Sequence, residues 1–327
     1  MHLRRPWHRM LLLPSLGLAL LAQGARAQAS ASLRLDNDYF NFWQAPYQRP
    51  DVEYTQGADL SVRWPATTAW LRHLTPVPTP CADSVPPEVP CGLRIVSLGQ
   101  DMYTPSIDSP RLLPGQRPYA GWLYLSFAER VESRSRVRGV ALTLGITGRP
   151  SLAQSFQDSW HEWFGFRKPL GWAGQLPFEP TLGLRFHLAQ VIWGAPGPSP
   201  VARLAASGTL QLGTPLTDVE AGLRATMGWH APPPWERTAH RATARPLGVY
   251  AIGAVRGDLV GYDEFLDGTV FRGSPSVARR WVVGQAEVGV GVAIHRVHIE
   301  WTVIHRARAY STQPDPHTYS RLDFGWD

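Results

Sequence analysis

The chain has 327 residues, two cysteines, and 32 basic against 26 acidic side chains, long enough for one large β domain or two ordinary ones. Four of the arginines behind its net charge of +6, Arg4, Arg5, Arg9 and Arg26, lie at the very start, and no later block of Lys or Arg forms the basic stripe that nucleic acid requires, so no nucleic-acid partner is expected. After that start no apolar run approaches the ~18 residues of a helical span, which excludes a helical membrane protein.

Residues 1–27 run from a basic start through the apolar stretch Leu11 to Ala22 to the small-residue site Ala25-Arg26-Ala27. That order is the signature of a cleaved secretory signal, and residues 28–327 are then the folded domain. Export permits oxidation, so Cys81 and Cys91, flanking a proline-rich segment, read as a loop-stapling disulfide.

From residue 33 onward the chain alternates apolar with small or polar residues at period two, the pattern of strands with one face toward oil and the other toward something wetter. Such segments are 33–38, 58–64, 93–103, 119–131, 136–146, 182–189, 201–212, 219–229, 247–256, 285–292, 297–304 and 317–326. About 12 strands, an even number, suit a closed bacterial barrel. A β-sandwich or a lipocalin-like barrel would also alternate. The export signal, the Gly-rich inner positions, and aromatics near strand ends (Trp64, Tyr103, Trp122, Tyr124, Trp193 and Trp229) favour a transmembrane antiparallel β-barrel in the outer membrane. Phe324 and Trp326 hold the alternating positions at the end, although Asp327 is last.

With the first strand running outward, the outer connections are 39–53, 104–118, 147–178, 213–217, 257–280 and the short link between His295 and Val297. The Cys81–Cys91 loop falls on the periplasmic side, where barrels usually keep short turns. One outer segment is not strand. Leu152, Phe156, Trp160 and Trp163 or Phe164 recur at three- and four-residue spacing, which predicts an amphipathic helix from Ser151 to Phe164, starting near Pro150 and ending at Gly165. Such a helix can lie against the barrel at membrane level.

Three polar clusters fall where a barrel does not need them. They are Asp36-Asn37-Asp38, Glu53-Tyr54-Thr55-Gln56-Gly57, and Gln154, Gln157, Asp158, His161 and Glu162 on the helix. Asp, Asn and Thr oxygens suit a hard cation such as Ca²⁺, and a neighbouring His can activate water at neutral pH. Asp-Asn-Asp before a loop is also ordinary turn chemistry, and a single helical His is often structural. Other hydrolytic chemistries are excluded: Gly165 stands where a zincin needs its second His, no Gly-x-Ser-x-Gly elbow is present, and Lys168 is the one lysine.

At these residues the chain resembles the outer-membrane lipid A 3′-O-deacylases of the LpxR type. The resemblance runs through Asn37-Asp38, Tyr54-Thr55-Gln56-Gly57, Gln100 to Pro105, Arg117 to Gly121, Gln157 to His161, Gly171 to Leu176 and Asp267 to Ser274. It implies a 12-stranded barrel with its site between the outer wall and an extracellular-loop helix, and Ca²⁺-dependent hydrolysis of an acyl ester of lipid A or lipopolysaccharide by a His-activated water. Carried over residue by residue, it implies His161 as general base, Asn37, Thr55 and Gln157 shaping the site, and Asp38 as a calcium ligand. An acidic residue expected shortly after the His is replaced by Phe166 or Arg167, so Glu162 is assigned as the second metal ligand. Arg111 or Arg117 is assigned to the substrate's phosphates, and the barrel is expected to act as a monomer. A phospholipase and a barrel without catalysis are the competing readings.

Overall fold

In the computed structural model, residues 29–43, 51–67, 79–82, 84–86, 88–194, 201–231 and 247–326 are described; the expected signal peptide lies outside them. Twelve antiparallel strands close into a barrel in sequence order, the first pairing with both the second and the last. They are β1 Ser30–Asn37, β2 Glu53–Pro65, β3 Cys91–Thr104, β4 Ala120–Glu132, β5 Arg136–Thr147, β6 Pro180–Trp193, β7 Val201–Gly213, β8 Leu216–Trp229, β9 Gly248–Asp263, β10 Val282–Ile294, β11 Val297–Arg306 and β12 His317–Trp326. Closure is direct: Leu33 of β1 lies opposite both Leu60 of β2 and Phe324 of β12. No described helix is long and apolar enough to cross a membrane, and the closed barrel leaves no open sheet edge.

The alternation has the polarity of a membrane barrel, inverted relative to a soluble one. Along β10, Val288 and Val290 are 62% and 53% exposed, while Glu287 between the same ladders is buried. The lumen carries paired charges. Arg321 holds Asp36 through two hydrogen bonds of 2.6 and 2.8 Å, Arg224 reaches Glu300 at 2.7 Å, and Arg256 reaches Glu287 at 3.0 Å. Removing one partner of such a pair costs about 3–5 kcal/mol, because the other charge is left buried alone. A polar cavity of ≈ 410 Å³ remains among these side chains.

Two expectations are corrected. The short link at His295 and Arg296 joins β10 to β11 at the inner end, because an even strand ends there; the sixth outer connection is 307–316, between β11 and β12. Tyr103, Trp122 and Tyr124 are not girdle residues. They turn into the lumen, where Trp122 Nε1 donates to Thr181 and the Tyr124 hydroxyl donates to Asp59. Trp193, Trp229 and Trp326 are exposed at the inner ends of β6, β8 and β12 and do form such a girdle. Cys81 and Cys91 are bonded, at the foot of β3.

The predicted helix is α1, Ala153–Phe164. It begins after Leu152 in a left-handed conformation and ends at Gly165, φ 71°, the αL position that glycine occupies without penalty. Its buried stripe is Ala153, Gln157 and His161, four residues apart, whereas Phe156, Trp163 and Phe164 face outward. The helix therefore turns its polar face to the barrel's outer wall and its apolar face away from it. Ser151 and Ala153 sit over Gly121 of β4, where an added Cβ would lie 2.3 Å from both side chains. Gly121→Val is expected to lift α1 off the wall. Hydrogen exchange in peptides covering α1 should then speed up, while the barrel keeps its heat-modifiable mobility on gels. Unchanged exchange in this variant would show that the helix does not depend on this seat. A second short helix, α2, Glu264–Asp267, closes the outer mouth of the lumen, with Phe265 stacked on Tyr103 at 4.4 Å.

Candidate functional site

The site forms on the outside of the barrel, under α1, and Asp51 is its centre. Asp51 Oδ2 accepts from Gln157 Nε2 at 2.5 Å and lies 2.9 Å from His161 Nε2. The other ring nitrogen, Nδ1, is 2.5 Å from the carbonyl oxygen of Arg167. The Gly165 cap makes this contact possible, since its left-handed turn reverses the chain and Phe166 N–H then donates back to His161 O. Gln157 is held from its other side by Trp172, whose Nε1 donates to Oε1 at 2.7 Å. Its amide is therefore fixed in one orientation, NH₂ to Asp51 and oxygen to Trp172.

With an oxygen acceptor at each nitrogen, the imidazole is best satisfied as a double donor. Burial works to lower the His161 pKa, but the hydrogen bonds to Asp51 and Arg167 outweigh it and hold the pKa above the ordinary histidine value. Nδ1 keeps its proton because a carbonyl cannot release it, so Nε2 is the nitrogen able to exchange a proton with a reacting water.

Thr55 and Asp38 complete the cluster. The β2–β3 pairing shifts register between Tyr54 and Gln56, which makes Thr55 an extra, bulged residue. Bulges re-aim side chains next to sites; here the Thr55 hydroxyl meets that of Thr104 at 2.6 Å. Thr104 in turn donates to the backbone carbonyl of Asp51 at 2.8 Å. Asp38 is buried in the 3-10 turn after β1. Its Oδ2 accepts from Val52 N–H at 3.4 Å. Its Oδ1 is 3.2 Å from His317 Nε2 but receives no hydrogen bond, the ring nitrogen being within reach of the Tyr54 carbonyl instead. Burial pushes the Asp38 carboxyl up to about 7, an effect that the His317 contacts oppose and the Asp51 charge reinforces.

Of the residues named from sequence, His161 and Gln157 meet directly on Asp51, and Asp38 and Thr55 join them through Val52 and Thr104. Asn37 is turned to turn chemistry: its Oδ1 accepts from Tyr39 N–H at 2.7 Å and caps the 3-10 turn. Glu162 is corrected as a metal ligand. Its side chain is 71% exposed on the far face of α1 and pairs with Lys168 at 3.0 Å, because neighbours in a helix sequence do not share a face. Arg117 is corrected as a phosphate contact, being buried over the Tyr103 ring and beside Glu53; Arg111 is exposed. Asp51, Thr104 and Trp172 were not foreseen as site residues. Among the described residues no three His, Cys, Asp or Glu side chains converge as a metal cage. A hard cation here would rest on the carboxylates Asp38 and Asp51, with neutral oxygens and water completing its shell.

Comparison with known proteins gives the fold its family. The family model for outer membrane protein LpxR matches residues 10–327. LpxR from Salmonella typhimurium superimposes with a TM-score of 0.72, covering 91% of this chain and 99% of its own at 14% identity. The translocator domain of the autotransporter NalP from Neisseria meningitidis covers 96% of this chain and 94% of its own at 10% identity, with a TM-score of 0.37. No curated protein matches the chain. With a family match over almost its whole length and a closed 12-stranded barrel of the same architecture, the chain belongs to the LpxR family of outer-membrane proteins.

Proposed function

We propose that this barrel is a Ca²⁺-dependent lipid A deacylase, hydrolysing the 3′-O-linked acyloxyacyl ester in the outer leaflet. The observation that carries the reading is the position of the His161–Asp51–Gln157 cluster: it lies on the outer wall under a helix, and not in the lumen. A lipid-borne ester would approach it from outside the barrel and would not have to enter the lumen.

His161 would take a proton from water at Nε2, with Nδ1–H held by the Arg167 carbonyl and the resulting imidazolium stabilised by Asp51. The direct Asp51–Nε2 contact must open by about one water for this, so the closed pair is the resting form. Calcium fits the acidic end of the cluster. Asp38 Oδ1 is buried with His317 Nε2 at 3.2 Å as its near partner, and the Asp51 charge acts on the same carboxyl, so a hard cation shared by the two carboxylates would add the counter-charge that His317 supplies to Asp38 alone. When bound, the ion would polarise the ester carbonyl and stabilise the oxyanion.

The test is incubation of purified, folded protein with lipid A or with glycerophospholipid, with calcium or excess EGTA, followed by mass spectrometry. Loss of one acyloxyacyl mass from lipid A, in calcium only, is expected. Cleavage of glycerophospholipid instead would make the barrel a phospholipase. Equal cleavage in EGTA would remove calcium from the reaction.

A further inference from the structure

Glu53 stands between Asp51 and the bulged Thr55, and its backbone adopts φ 61°, the left-handed region that side chains other than glycine rarely occupy. A residue kept in that conformation has to be held there by its surroundings. Glu53 is held by its own carboxylate, which is buried and draws on two further outer loops. Oε1 accepts from Ser106 Oγ at 2.5 Å and from the Tyr310 hydroxyl at 2.8 Å. Oε2 lies 3.5 Å from Arg117 Nη1, and Arg117 is itself stacked 4.4 Å above Tyr103. Ser106 and Arg117 belong to the connection between β3 and β4, and Tyr310 to that between β11 and β12.

We propose that Glu53 is a positioning residue for the site. Its carboxylate ties three outer loops together and locks the turn that sends Asp51 toward His161 and Thr55 toward Thr104. The backbone on either side carries both groups: Val52 N–H donates to Asp38, and Thr104, the register partner of Glu53, donates to the Asp51 carbonyl. Releasing the carboxylate frees this turn to relax from φ 61°, and Asp51 moves with it. The catalytic side of this proposal rests on the deacylase reading; the structural side does not.

The test compares Glu53→Gln, Glu53→Gly and Asp51→Asn, singly and combined. Glycine adopts φ 61° without strain, so a loss in Glu53→Gly reports the missing clamp and not backbone strain. Both Glu53 variants are expected to lower kcat about tenfold with KM within about twofold, the mark of lost orientation and not lost binding. In an Asp51→Asn background the further loss should fall below about twofold, since residues acting through one another are non-additive. Equal tenfold losses in both backgrounds, or a kcat per folded molecule that does not change, would overturn the proposal. Hydrogen exchange read by mass spectrometry supplies an arm independent of activity. Glu53→Gly should speed exchange in peptides covering 51–56 and 157–167 and leave β6 to β10 unchanged. If the wild type cleaves no lipid A, the deacylase reading falls, and this exchange pattern alone decides the positioning role: faster exchange supports it and unchanged exchange sinks it.

Discussion

His161→Ala is expected to lower acyl-ester release from lipid A by about 10²- to 10⁴-fold, the range that a positioned general base contributes, with the barrel still folded. The side chain is one of three on the buried stripe of α1, and alanine is the better helix former at that position, so the helix should persist. What disappears is the imidazole assigned to take the proton from water, the ring that meets Asp51 directly. The pH profile of the wild type carries the same information. Because the Asp51 and Arg167 hydrogen bonds raise the His161 pKa above its ordinary value, the imidazole stays protonated to a higher pH than a free histidine, and a protonated ring cannot act as base. Activity should therefore rise with pH through an acid limb centred above ~6.5, the unperturbed histidine value. Steady-state rates between pH 5 and 9, normalised to folded barrel by heat-modifiable migration, check both points. A limb below 6.5, or an alanine variant of undiminished rate, would remove His161 from the chemistry.

The strands were legible because a membrane barrel imposes one rule at every residue: lipid on one face, a wet lumen on the other. Val288 and Val290 alternating with Glu287 and Gly289 leave little choice of orientation. The rule weakens for aromatic residues, which suit either side. Tyr124 lies inside because Gly99 leaves room for its ring, an added Cβ there falling 2.2 Å from Tyr124 Cζ, and period-two reading cannot detect a space made by a neighbouring strand. The helix was legible from its apolar spacing, and that spacing marks the outward face, while the stripe that seats it is Ala153, Gln157 and His161. Glu162 could have been rejected from sequence alone, since the ~100° turn between successive helical residues carries it away from His161. Asp51 could not have been found that way. It sits in a loop with no periodicity, 110 residues from the histidine it meets, and the closure of β1 and β2 beneath α1 is what brings the two together.

Asp51→Asn is the second large effect expected, and it separates the carboxylate's charge from its shape. Asparagine is nearly isosteric and retains one acceptor oxygen, which can serve Gln157 or His161 but does not stabilise an imidazolium as a carboxylate does. A hydrogen bond to a charged group contributes about 1.5–3 kcal/mol, and at 1.36 kcal/mol per tenfold this corresponds to a loss of roughly 10- to 100-fold in kcat/KM. The sign of the accompanying pH shift follows from the same contact. Asp51 raises the His161 pKa through both its hydrogen bond and its charge, so the variant's acid limb should move to lower pH even as its plateau falls. The variant is then weakest relative to wild type at high pH, where both histidines are neutral, and recovers part of the difference as pH drops. Asp51→Ala should lose more, because it also leaves the buried Gln157 amide, held at 2.5 Å in the wild type, without its acceptor, a cost of about 1–3 kcal/mol. Rates for wild type and Asp51→Asn across the same pH range decide the matter. A lowered plateau with an unmoved acid limb would mean that Asp51 does not act on His161, and its contribution would then have to run through Gln157 or through the cation that Asp38 and Asp51 are proposed to share.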